Sequence, residues 1–124
     1  MVTLTVSLAA REDTLPPLGI PPKPDRDVAY ATVFVKLANQ RDTHQSVTLQ
    51  ALVIRSEPEQ QHEPFAFTPR TVELKPLEHV LVDIHLRKPT VFLAKERVRA
   101  IVRFQVGRES VATVVSEAVA IERR

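Results

Sequence analysis

Apolar side chains recur at every second position through most of this chain, and no stretch sustains the 3.6-residue period of an amphipathic helix. In "HVLVDIHLR", Val80, Val82, Ile84 and Leu86 share one face, while Leu81, Asp83, His85 and Arg87 share the other. The opening "VTLTVSL" sets Val2, Leu4, Val6 and Leu8 against Thr3, Thr5 and Ser7. A side-chain period of two belongs to a pleated strand, and each such strand must hide its apolar face against another layer. "VAYATVFVKLANQ" keeps the rhythm through Ala29, Ala31, Val33, Val35 and Leu37. It also places Tyr30 and Phe34 on the opposite side, which predicts a central strand.

Further strands follow on the same reasoning. "SVTLQALVIRS" carries a stripe of Val47, Leu49, Ala51 and Val53, with Leu52 and Ile54 adding apolar cover to the second face. A short strand around "TVELK" turns Val72 and Leu74 inward, and "RVRAIVRFQV" turns in Val98, Ala100, Val102, Phe104 and Val106. The last strand, "SVATVVSEAVAIE", changes phase: Val111, Thr113 and Val115 compete with Ala112, Val114 and Ser116 before Val119 and Ile121. A bulge near Val115, or exposure on both faces, reconciles the two. Between strands, "NQRDTHQ" and the Lys75–Pro76 step supply turns, and "GRES" supplies a hairpin loop with Gly107 available for positive φ. "EPEQQHEP" reads as a loop with Glu57, Glu59 and Glu63 in solvent, and "KPTVFLAKE" as a connection that turns once as a helix near 93–96.

Seven or eight strands with no crossover helices predict two packed antiparallel sheets rather than an α/β enzyme sheet. Pro16, Pro17, Pro21, Pro22 and Pro24 cluster around Gly19, so residues 15–27 are expected to run as a polyproline-like connection; a proline-rich recognition motif is the functional alternative. The chain has no cysteine, which removes disulfides and thiolate chemistry and fits a reducing compartment. Its opening lacks a basic n-region and an unbroken apolar core, so it reads as a strand rather than a signal peptide. No run approaches the roughly 20 apolar residues of a membrane span. The expectation is a cytoplasmic or virion-associated protein without membrane contact. A net charge of +2 from 17 basic and 15 acidic residues gives no concentrated basic footprint, so no nucleic-acid partner is expected.

The span "FTPRTVELKPLEHVLVDIHL" resembles the middle of the PapD-like and major-sperm-protein-like branches of the immunoglobulin-like β-sandwich superfamily. There a strand with a proline precedes a Leu-x-Pro turn and a strand of V-x-V or V-x-I type; the matching residues are Pro69, Leu74, Pro76, Val80, Val82 and Ile84. The paired basic residues that hold a client carboxylate in PapD-like chaperones have no matching position, so chaperone activity does not carry over. The resemblance implies a binding or assembly module. Pattern and resemblance together give the expected fold class: all-β, an immunoglobulin-like two-sheet antiparallel β-sandwich of about seven or eight strands, one domain over 1–124.

Candidate chemistry is sparse. His79 and His85 share strand parity, but six residues at about 3.3 Å each separate them by about 20 Å, too far for one ion. Asp83, His85 and Arg87 are closer on one outer face, and a remote histidine such as His44 or His62 would have to complete a site. A small metal- or ligand-dependent β-sandwich enzyme is therefore the alternative function, and a structural component of a virion or large assembly a further one. Gly19 and Gly107 cannot make a phosphate-cradling loop. No catalytic residues, cofactor, metal site or small-molecule substrate are expected. The leading expectation is a non-enzymatic protein–protein interaction module, binding a protein partner or itself. Candidate contacts are Arg97, Arg99, Ile101 and Arg103 on one strand face and Asp83, His85 and Arg87 on another, with strand addition at an exposed edge as a mechanism.

Overall fold

The computed structural model describes residues 2–14 and 26–123. Most of the proline-rich connection expected at 15–27 lies outside the described residues. Among the described residues nine strands are formed: β1 (Val2–Glu12), β2 (Ala29–Asn39), β3 (Gln45–Glu57), β4 (His62–Glu63), β5 (Arg70–Leu74), β6 (His79–Lys88), β7 (Arg97–Val106), β8 (Ala112–Val115) and β9 (Val119–Arg123). No helix occurs among the described residues. The helical turn expected near 93–96 is absent because the Leu93 and Ala94 amides bond to the Glu63 carboxylate instead of to preceding carbonyls.

The strands hydrogen-bond in the order β4-β3-β7-β9-β1-β2-β6, with β5 also on β3 and β8 also on β7. All pairs are antiparallel except β1 with β9, which run parallel. The all-β expectation holds. The expected pair of separate sheets does not appear as such: β9 bonds to β7 at Arg97 and Val98 and to β1 at residues 10–12, joining everything into one curled mixed sheet. One hydrophobic cluster fills the curl, drawing Val33, Val35 and Leu37 from β2, Val82, Ile84 and Leu86 from β6, and Val47, Leu49, Val98 and Val102 from β3 and β7. The alternation fixed most of these inward faces, since a strand one residue out of register would turn its apolar set to water.

Two strands change face partway. In β3 the pairing with β7 shifts by one residue between Leu49 and Ala51, so the inward set is Val47, Leu49, Leu52 and Ile54, and Ala51 and Val53 point outward. The expected stripe of Val47, Leu49, Ala51 and Val53 is correct only up to this bulge. In the last strand the pairing with β7 also shifts by one residue between β8 and β9. Buried Ser116 stands at the break: its Oγ accepts the Ala100 amide at 2.8 Å and donates to the Glu117 carbonyl at 2.9 Å. That extra residue reconciles Val114 with Val119 and Ile121, as a bulge near Val115 predicts.

The turns follow local chemistry. Gly107 takes φ +54° with open space around its α-carbon. At Lys75–Glu78 the Glu78 amide donates to the Lys75 carbonyl at 3.1 Å, and Leu77 sits at φ +60°. Pro76 followed by a positive-φ residue is the pattern of a type II turn, which normally places glycine or asparagine where Leu77 stands.

Candidate interaction surface

The sequence-derived candidates fall on two different outer faces. On β7, Arg97 and Arg103 are exposed and Arg99 and Ile101 are half-buried. Their cross-strand neighbours on β3 are Glu57, Ala51, Arg55 and Val53 respectively, and Ile101 and Arg103 face Val115 and Thr113 of β8. The result is an apolar row, Val53–Ile101–Val115, with arginines to either side. Arg99 Nε lies 3.0 Å from Glu57 Oε1, and Arg55 donates to the same oxygen at 3.0 Å. Glu57, expected in solvent, is instead half-buried, and its Oε1 is shared by both guanidinium groups. An arginine side chain pairs an apolar stem with a planar donor fork, which suits it to contact with another protein.

Asp83, His85 and Arg87 lie on the outer face of β6, in the other half of the curl. His85 Nδ1 is 3.3 Å from Thr32 Oγ1, and Arg87 Nε is 3.5 Å from Asp27. The structure therefore gives His85 a hydroxyl neighbour on β2. His79 is exposed on the same face, and His44 pairs with Glu73 at 3.3 Å on the opposite side of the molecule's strand order. No group of three or more His, Asp or Glu side chains is placed to hold a metal ion among the described residues. Leu81, 64% exposed, borders a shallow cleft of about 290 Å³ with Lys36, His79 and Val80.

One constellation was missed by sequence reasoning. Glu63, expected in solvent, is fully buried, and its Oε1 accepts from Lys88 Nζ at 2.9 Å and from the Leu93 amide at 2.8 Å. Its Oε2 accepts the Ala94 amide at 2.7 Å. Lys88 donates also to the Val91 carbonyl and lies 5.3 and 5.5 Å from the ring centres of Phe65 and Phe92. Glu12 Oε2 takes the Phe92 amide at 3.0 Å. Strand parity held the signal: Lys88 continues the inward series Val82, Ile84, Leu86, and Glu12 continues Val6, Leu8, Ala10. These groups fasten the 89–96 connection; each oxygen and ammonium is matched to a partner within the fold, so the cluster serves architecture.

The strand edges differ in a way that bears on binding. The Asn39 amide donates to the Glu78 carbonyl, so odd-numbered residues of β2 bond toward β6 and even-numbered ones toward β1. With Ser7 opposite Phe34 and Thr5 opposite Lys36, odd residues of β1 bond to β2, and Leu4, Val6 and Leu8 aim their N–H and C=O groups the other way. Among the described residues no strand pairs with them there, because β9 reaches only residues 10–12. By the same logic the Ser116 amide on the Ala100 carbonyl fixes Ala112 and Val114 toward β7, leaving Thr113 and Val115 aimed at β1. Between these two rails lies a cleft of about 350 Å³ lined by Thr5, Val6, Ser7, Leu8, Val114, Val115, Glu117 and Val119.

Comparison of the chain with protein-family models, with curated proteins and with solved structures found no match in any of the three.

Proposed function

We propose that this chain is a non-enzymatic protein-interaction or assembly module on an immunoglobulin-like framework. For the framework, the support is connectivity. The first, second and sixth strands pair as β1-β2-β6, and the third, seventh and last pair as β3-β7-β9 with a short β4 outside β3. That division matches the two strand groups of an immunoglobulin-like sandwich, first-second-fifth against third-sixth-seventh, once the short β4 and β5 are taken as one edge segment. The parallel β1–β9 pair then closes one side of the sandwich.

For the function, the carrying observation is the outer face of β7. Its apolar row of Val53, Ile101 and Val115 ends in a valine 45% exposed, and Arg97, Arg99 and Arg103 border it. Apolar centre with arginine rim is the composition of a protein contact, where arginine is enriched and pairs with carboxylates across the interface. The partner is a protein with an apolar spot edged by acidic side chains.

The test is capture from native extract combined with size-exclusion and light scattering. Wild-type protein retains a partner or self-associates, and Ile101→Glu or Arg103→Glu, with unchanged melting temperature, loses that association. A monomer that captures nothing in either assay, or association indifferent to both substitutions, sinks this reading.

A further inference from the structure

We propose that the outer edge of β6 is a homodimer interface, where a second copy of this chain pairs antiparallel and joins two sheets into one. The inference goes beyond the β7 contact: it names a different strand, a definite occupant and backbone chemistry that the β7 face does not use.

The edge is long and its backbone is unclaimed. β6 ends the strand order and, among the described residues, pairs only with β2. The Asn39 amide bonds to the Glu78 carbonyl and His79 stands opposite Ala38, so even-numbered residues of β6 bond toward β2. His79, Leu81, Asp83, His85 and Arg87 therefore aim their N–H and C=O groups away from the sheet, and the same five carry exposed side chains. The other end of the strand order offers no comparable ladder: β4 has two residues, and β5 has five between Pro69 and Pro76. Nor does the flank of β1, since Cα atoms of β7 and β8 come within 8 Å of it. A strand hydrogen-bonded on both sides would need about 9.5 Å there.

The charges on this edge select the occupant. Charge on an open strand discourages pairing in general, but β6 carries both signs, and its own sequence can match them. Asp83 forms no hydrogen bond or ion pair among the described residues; its row neighbours are Phe34 and Ser7. The Arg87 side chain is 76% exposed and approaches Asp27 only to 3.5 Å.

Two identical antiparallel strands must centre on one residue and its symmetry mate. Centred on Asp83, the two carboxylates face each other, which destabilises a ladder. Centred on Ile84, Asp83 faces His85 and Arg87 faces Leu81. Centred on His85, Asp83 of each copy faces Arg87 of the other, so both charges find opposite partners directly across the ladder, the favourable arrangement. In that register Asp83, His85 and Arg87 each exchange both backbone hydrogen bonds with the second copy. The ladder then stops near Pro89, which has no amide to donate.

The experiment uses the full chain carrying Ile101→Glu, which silences the β7 face, in sedimentation from micromolar to millimolar concentration. The expected result is a monomer–dimer equilibrium, with amide hydrogen exchange at Asp83, His85 and Arg87 slowing as the dimer forms. Val82, Ile84 and Leu86 should not change, because their amides already bond to β2. Asp83→Arg and Arg87→Asp, with unchanged melting temperatures, should each weaken the dimer about tenfold by turning both ion pairs into repulsions. Mixing these two variants should restore association as a heterodimer, because every opposed pair is then of opposite sign. A chain that stays monomeric at millimolar concentration overturns the proposal. So does a dimer indifferent to both charge reversals, a mixture no tighter than either variant alone, or exchange that slows along β5 instead. Partner capture that Ile101→Glu abolishes and Asp83→Arg leaves intact belongs to the β7 face, so either reading can fail alone.

Discussion

At the scale of single residues, the fold depends on a few side chains whose surroundings contradict their type. Glu63 is one: a carboxylate with no exposure that receives an ammonium and two backbone amides. Removing one member of a buried ion pair leaves the other charged and unmatched, a loss of about 3–5 kcal/mol. Glu63→Gln should therefore destabilise by about that amount in urea unfolding, since the amide keeps the shape but strands the Lys88 ammonium. Lys88→Met should cost less, because Glu63 retains the Leu93 and Ala94 amides. The double variant should lose clearly less than the sum of the two, the mark of a coupled pair. Additive losses would mean that the pair is not coupled in solution. Leu77 contradicts its type differently. It is 65% exposed and holds a left-handed conformation that costs a β-carbon-bearing residue about 1–2 kcal/mol, against about 0.5–1 kcal/mol of extra chain entropy for glycine. Leu77→Gly should raise the urea midpoint by up to about 1 kcal/mol of stability with unchanged slope, and a lowered midpoint would show that the leucine packs against something in solution.

Strands are the scale at which the sequence was most legible, and the scale at which its limits show. Every residue expected inward on β2 is buried, and so are Val82, Ile84 and Leu86 on β6, because a period of two leaves one consistent face. The pattern failed where a strand inserts a residue. Nothing in "TLQALVI" distinguishes an uninterrupted stripe through Val53 from the bulged set ending at Ile54, since both faces are apolar there. The last strand was readable as irregular because its phases conflict outright. What could not be read was the device: the Ser116 hydroxyl replaces a ladder carbonyl for the Ala100 amide. Ser116→Ala leaves that buried amide without its partner, so it should cost about 1–3 kcal/mol. Hydrogen exchange should rise first at Ala100 and along β9; uniform loosening of the whole sheet would argue against a local role. The candidate surface was legible in part for the same reason. Parity set Arg97, Arg99, Ile101 and Arg103 outward together, but the contribution of Val53 and Val115 depends on register between strands, which no single strand encodes.

For the molecule as a whole, the arrangement of edges links stability to binding. The two outermost strands, β4 and β6, are far apart in the strand order, yet Glu63 on one meets Lys88 on the other, so the curl is latched across its opening at one end. Phe92, in the connection from β6 to β7, packs its ring 5.6 Å from that of Phe65 beside the same latch. Charge on the outer edges restricts what can pair with them. The uncharged stretch of β1 facing β8 is guarded by the fold instead: Cα atoms of the two strands come within 8 Å, where a strand hydrogen-bonded to both needs about 9.5 Å. A single charge placed on its solvent face should therefore leave aggregation as it is. Ser7 suits this: it is exposed, and its cross-strand neighbour Phe34 carries no charge, with Asp83 next beyond in the same row. Ser7→Lys should change folding stability by no more than about 0.5 kcal/mol, as for an ordinary surface substitution. It should also leave the onset of light scattering on heating where it is, although lysine on an open edge guards against such pairing. If Ser7→Lys does delay that onset, the edge of β1 is exposed on heating and the cleft opens before the sheet unfolds.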